Sequence, residues 1–268
     1  MADSVAAVSA LGNTANAALA NGAAGYRVEY AELLSSDDAG VTVFFNNRGN
    51  KQLAAHFIPG DPLRGGGTNI TYTIDQTEGA ADSLTQAQTN AAIGRAMTTW
   101  DNVTCSTIPI DAVGNPGTDL GVIEFLNGLG GSPVWYADIT HAGWLPGGIL
   151  APSTIAVTFT FIWIDGFGNP TDLDGNGLAD VAFREILYND AFTWQINANI
   201  DVETVALHEA GHGLSQGHFG KAFVTASNGQ LHFAPRAVMN AGYSGVQQTI
   251  DQTDNAGHCS IWGSWPNN

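Results

Sequence analysis

Basic residues are scarce in this 268-residue chain, where eight Lys plus Arg stand against 25 Asp plus Glu for a formal net charge of -17. Such a balance argues against nucleic acid or an anionic membrane as partner and favours divalent cations. No apolar run approaches the ~18 residues that a membrane span requires. The opening Met1-Ala2-Asp3-Ser4-Val5-Ala6-Ala7 lacks the basic n-region and long apolar h-region of a signal peptide. Cysteine is limited to Cys105 and Cys259. Either the two form one disulfide or both are free and buried, and an even pair in an exported protein favours the bridge. Closing so long a loop stabilises by about 4–5 kcal/mol in the chain-entropy account. No internal repeat and no low-complexity tract is present. What remains is 44% hydrophobic and 12% charged, the composition of a globular protein with ample core. The length allows one large domain, or one domain and an extension.

Along the chain, residues 1–25 are rich in Ala, Asn, Gly and Ser, and Ala6 to Ala20 reads as a short helix without a strong apolar face. Val41 to Phe45 reads as a strand stopped by Asn46-Asn47-Arg48-Gly49-Asn50. Gly60 to Gly67 is a connection, placing a soft boundary between an N-terminal extension, 1–66, and a main domain, 67–268. Ile70 to Ile74, Gly121 to Leu126 and the long β-branched run Thr154 to Ile164 read as strands. Ala91, Ala92, Ile93, Ala96, Met97 and Trp100 recur at helical spacing within Thr85 to Val103. Asp201 to Leu214 reads as a helix with Asp201 as N-cap, Pro235 to Tyr243 as a turn region, and Thr249 to Trp262 as a C-terminal helix.

The chemistry concentrates in His208-Glu209-Ala210-Gly211-His212-Gly213-Leu214-Ser215-Gln216-Gly217-His218. Residues four apart share a helix face, so His208 and His212 can aim at one metal ion with Glu209 beside them. His218 follows six residues later, past two glycines that let a chain leave a helix and fold back. Three neutral nitrogens and one open position describe a catalytic zinc site. A second stretch, Asp172-Leu173-Asp174-Gly175-Asn176-Gly177-Leu178-Ala179-Asp180, alternates oxygen donors like the start of an EF-hand calcium loop. The match weakens afterwards: the bidentate glutamate position holds Phe183, and the nearest carboxylate is Glu185. The competing reading is a polar, Gly-rich loop with no ion.

The segment 208–218 resembles the metzincin zinc-protease motif, H-E-x-x-H-x-x-G-x-x-H, which is followed by a methionine turn. Ala237-Val238-Met239-Asn240-Ala241-Gly242-Tyr243 is similar to that turn in its matrixin form. Asn69 to Thr73 resembles the first sheet strand of a matrixin catalytic domain, Ala92 to Val103 its first helix, and Asp251 to Trp262 its C-terminal helix. The resemblance covers residues 67–268. It implies an α+β (mixed α/β) fold, in which a twisted, mostly parallel five-stranded sheet carries the active-site helix, a second helix packed behind it and a C-terminal helix. It implies a monomeric zinc-dependent endopeptidase acting on protein or peptide substrates. His208, His212 and His218 would hold zinc, Glu209 would act as general base, Met239 would floor the site and Tyr243 would wall a pocket. A substrate would lie extended along a sheet edge. The alternatives are an inactive or weakly active binding protein on the same scaffold, and a zinc hydrolase of other amide or ester bonds.

Three departures from the family stand out. Ser215 replaces the motif glycine, whose positive φ costs other residues on the order of 1 kcal/mol, and Gly213 or Gly217 is an alternative site for the bend. His141 lacks the companion ligands of a structural zinc site and reads as a loop or core histidine. No cysteine precedes Cys105, so residues 1–66 cannot silence the metal through a thiolate. They are part of the folded domain or a pro-segment using another residue. The Gly-, Asn- and Thr-rich, Lys-poor composition is in the style of a secreted bacterial protein. Either Met1 stands in place of a removed signal or the protein is cytosolic; the first is preferred, since an unrestrained protease is dangerous inside a cell.

Overall fold

A computed structural model describes residues 1–47, 49, 55–77 and 84–267. In chain order the helices are α1 (Ala2–Asn21), α2 (Gln86–Asp101), α3 (Val122–Asn127), α4 (Val202–Gly213) and α5 (Gln252–Trp262). The strands are β1 (Tyr26–Ser35), β2 (Thr42–Phe44), β3 (Ala55–His56), β4 (Ile70–Ile74), β5 (Ile110–Ala112), β6 (Ile139–Leu145), β7 (Thr154–Trp163), β8 (Ala179–Asn189), β9 (Trp194–Gln195), β10 (Ile200–Asp201), β11 (Lys221–Val224) and β12 (Leu231–Ala234).

The core is built on one mixed sheet in the order β2-β1-β7-β8-β6-β4-β5, with β3 pairing beside β8 as an eighth strand among the described residues. β5, β4, β6 and β8 run parallel, β7 is antiparallel to β8, and β1 is antiparallel to β7. The sheet therefore differs from the five mostly parallel strands expected. The N-terminal residues add β1, β2 and β3 to it, and β1 continues it past β7. β6, β7 and β8 are buried along their whole length, so both sheet faces must be covered. Val202, Val205 and Ala206 of α4 pack on one face with Ile93, Ala96 and Met97 of α2 and Trp262 of α5. Val8, Leu11, Ala15 and Leu19 of α1 pack on the other with Val122 and Ile123 of α3.

Several elements form for reasons visible locally. Thr85 caps α2 in a reciprocal capping box with Gln88, and Asp251 does the same for α5 with Asp254. Asp201 caps α4 by accepting from the Thr204 backbone N–H at 2.9 Å. Residues 122–127 are helical rather than extended. The buried Glu185 carboxylate accepts from the first backbone N–H groups of that helix, Val122 and Ile123, so tertiary capping overrides a β-prone sequence. Helix α1 spans 20 residues, longer than the short helix expected. The proposed stop at 46–50 includes Arg48 and Asn50, which lie outside the described residues. Cys105 and Cys259 are disulfide-bonded with Cα atoms 5.7 Å apart, tying the loop after α2 to α5.

Candidate metal centre

Helix α4 is clamped by two indole rings. The Trp100 indole of α2 donates to the Leu207 carbonyl at 2.9 Å, and the Trp262 indole of α5 donates to the Leu214 carbonyl at 2.9 Å. His258 of α5, fully buried, stacks on Trp100. On the clamped helix His208 and His212 occupy one face as their spacing requires.

The Nε2 atoms of His208, His212 and His218 converge. They stand 3.1 Å apart for His208–His212 and His212–His218, and 3.2 Å for His208–His218. Four-coordinate zinc with bonds of about 2.0–2.1 Å to nitrogen places ligands about 3.3 Å apart, so the triangle fits a tetrahedral ion with one further corner. The opposite ring atoms explain which nitrogen is free. His208 Nδ1 donates to the Val238 carbonyl and His212 Nδ1 to the Gln216 carbonyl, each at 2.7 Å. A carbonyl can only accept, so in the neutral ring Nε2 keeps its lone pair. Burial holds all three rings neutral: it depresses His208 and His218 well below the usual histidine range and His212 to about 3, with neighbouring histidines adding to the effect at His208 and His218.

The turn that delivers His218 uses Ser215 itself, at φ 68°. Gly213 and Gly217 are not in the left-handed region, so they do not relieve it. Arg184 of β8 compensates by donating through Nη1 to Ser215 Oγ at 2.8 Å and to the Gly213 carbonyl at 2.7 Å. Two variants separate strain from anchoring. Ser215→Ala keeps the strain and loses the anchor, and is expected to cost about 1–2 kcal/mol in denaturant unfolding. Ser215→Gly loses the anchor but also the strain, and should lie within about 1 kcal/mol of the parent. Equal losses in both variants would contradict this account.

Met239 lies beneath α4. A Cβ on Gly211 would stand 2.2 Å from Met239 Sδ, so any side chain at 211 would force the methionine to move. Its turn is pinned from α5, where the Asp254 carboxylate accepts from the Val238 and Met239 backbone N–H groups at 2.9 and 3.1 Å. Tyr243 lines a small cavity with His208, Thr204, Val238 and Leu34 of β1. Its hydroxyl donates to the Asn199 carbonyl and accepts from the Asp201 backbone N–H.

Glu209 is fully buried, and burial raises its carboxyl well above the usual range, with Glu32 of β1 adding to the rise. Thr158 Oγ1 of β7 donates to Glu209 Oε2 at 2.5 Å, whereas Oε1 has no hydrogen-bond partner among the described residues. Glu32 sits directly opposite Thr158 in the β1–β7 register and brings Oε2 to 3.1 Å from His212 Nδ1. Burial pushes the Glu32 carboxyl up to about 7, although His218 and Arg184 oppose the shift.

Thr158, Arg184, Glu32 and Asp254 are site residues that motif reading did not find. Arg184 left a signal, as the one cation, beside Glu185, within the otherwise apolar stretch Val181 to Tyr188. Asp254 left another in its capping-box spacing from Asp251. Thr158 and Glu32 left none, because both reach the site only through strand register.

In the second stretch, carboxylate oxygens of Asp172, Asp174 and Asp180 lie within 4.8 Å of one another. The loop is folded by its own side chains. Asp172 accepts from the Gly177 N–H, Asp174 from Asn176, Asn176 from Leu178 and Asp180 from Leu173. Glu185 turns away to cap α3 and is not part of this loop. His141 is a core histidine of β6, its Nδ1 2.8 Å from the Tyr188 hydroxyl, and burial lowers it to about 3. Neither the family models nor the curated proteins searched give a match to this chain.

Proposed function

We propose that the chain is a zinc-dependent endopeptidase of metzincin, matrixin-like kind. One observation carries the reading: three histidine Nε2 atoms at mutual 3.1–3.2 Å, those of His208 and His212 buried and locked into the ligating tautomer by backbone carbonyls. Bound zinc would polarise the scissile carbonyl and make water a nucleophile near neutral pH. Glu209 then acts as general base and passes the proton on to the leaving amine. Thr158 holds Oε2, which leaves Oε1 as the oxygen that carries the proton. Met239 supports α4 and does no chemistry. Support also comes from the strand subset β5-β4-β6-β8-β7, in which only β7 is antiparallel and forms one margin. This subset is compatible with the mostly parallel five strands that the resemblance implies, although among the described residues it is part of a larger eight-stranded sheet; secretion and a single-chain state belong to the same reading.

The test is cleavage of an unfolded protein substrate with and without a zinc chelator, with zinc measured on the same sample. It is read on the intact chain and on the Leu34→Ala variant discussed below. Cleavage lost on chelation and restored by zinc supports the reading. Bound zinc without cleavage in either chain favours a binding protein on this scaffold, and cleavage confined to esters or small amides favours a different hydrolase.

We also propose the Asp172–Asp180 loop as a structural calcium site, formed by Asp172, Asp174, Asn176, Asp180 and the Leu178 carbonyl. Calcium at tenfold its dissociation constant should stabilise by about 1.4 kcal/mol, visible as a rise of a few degrees in thermal midpoint. A midpoint indifferent to calcium would contradict the assignment.

A further inference from the structure

We infer that the chain's own strand β1 occupies the peptide-binding groove of this metal site, in the trough between β7 and residues 241–243. The inference rests on the peptidase reading above. β1 runs antiparallel along the whole of β7, from Tyr26 opposite Trp163 to Ser35 opposite Thr154. Its far end is held from the other side: Ser35 bridges Gly242 in parallel, and the Tyr243 N–H donates to the Ser35 carbonyl at 2.8 Å. An extended segment hydrogen-bonded to both walls of a trough beside a metal centre is how a peptide is gripped by its backbone.

The side chains follow the same logic. Tyr30 and Leu34 belong to the core beneath the sheet that includes α4, whereas Ala31 and Leu33 belong to the core above it. Glu32, between them, reaches His212 Nδ1 at 3.1 Å. Leu34 lines, with His208, Val238 and Tyr243, a cavity of about 20 Å3, room for about one water. With β1 in place His208 is 2% exposed and Glu209 0%. A base with no exposed surface cannot meet an incoming substrate. The fold containing β1 is therefore the closed form, and opening requires β1 to leave β7. Residues 1–47 act as a covalently attached occupant of the groove.

The test uses three full-length chains loaded with cobalt, whose visible spectrum reports ligands reaching the metal independently of turnover. The first is the parent. The second is Leu34→Ala, which enlarges the cavity beside His208. The third carries Leu33→Cys and Val157→Cys, opposite each other in the register and on the face away from the histidines. Directly paired antiparallel residues lie close enough to be bridged. The probe is a peptide hydroxamate with a leucine side chain, and circular dichroism confirms that each chain is folded. The inference expects Leu34→Ala to bind the probe at least about tenfold more tightly than the parent, because closure is weakened. It expects the oxidised lock not to bind, and mild reduction to restore parent behaviour, with the parent given the same reductant as control. Equal binding by all three would overturn the groove assignment and leave the metal site intact. Failure of the folded parent to take up cobalt would overturn the peptidase reading and this inference with it. If Leu34→Ala fails to fold, oxidised and reduced lock alone decide: equal binding overturns, and binding only after reduction supports.

Discussion

Glu209→Gln is expected to lower peptide hydrolysis by about 10²–10⁴-fold, the range for loss of a general base, with zinc content unchanged. The substitution keeps side-chain volume and leaves a partner for Thr158 Oγ1, so the fold around Oε2 should survive. It removes only the ability of Oε1 to take a proton. Because Glu209 is shut in by β1, the comparison is made on the Leu34→Ala background, with kcat and bound zinc read from the same preparation. A variant that kept its turnover would remove Glu209 from the chemistry, whatever happened to the metal.

Arg184→Lys is expected to destabilise the fold by about 3–5 kcal/mol, the range for breaking a buried charged network. Arg184 is fully buried and spends all five N–H donors. Nε donates to Thr160 Oγ1, Nη1 to the Gly213 carbonyl and Ser215 Oγ, and Nη2 to the Tyr30 hydroxyl and the Ala55 carbonyl. These acceptors belong to β7, the turn before His218, β1 and β3, so one guanidinium ties the metal turn to three strands. A lysine ammonium has three donors from one point and cannot span that fan. The thermal midpoint should fall by roughly 6–20 °C for a domain of this size. Zinc affinity should fall with it, because the strained Ser215 loses its anchor. A midpoint within about 2 °C of the parent would show that the network is not stabilising.

How much of this was legible beforehand differs by element. The shared face of His208 and His212 could be read directly, because four-residue spacing on a helix fixes it whatever the surroundings. The cap at Asp201 followed from a local pattern as well, whereas the place of Met239 came only from the resemblance; the boxes at Thr85 and Asp251 were present in the sequence but not read as caps. Residues 122–127 did not: a strand-like sequence became helix because Glu185, more than 50 residues away, supplied a buried cap. Helix α1 was under-read although Val8, Leu11, Ala15 and Leu19 already traced an apolar stripe, and its face became meaningful only against α3 and β1. Strand β1 was missed altogether. Its two faces enter different cores, so Glu32 and Leu34 look unremarkable in sequence and gain their meaning from the register with β7. The turn at Ser215 was legible as a departure, but its compensation by Arg184 was not, since the arginine lies 31 residues earlier on a neighbouring strand.

The claim on which everything else rests is that His208, His212 and His218 bind one metal ion. Its most direct test is zinc stoichiometry by elemental analysis on the intact chain and on His212→Ala, each equilibrated with zinc and calcium and then freed of excess metal. The account predicts one zinc per chain in the parent and essentially none in a folded His212→Ala variant. A parent without zinc, or a variant that retains it, would contradict it.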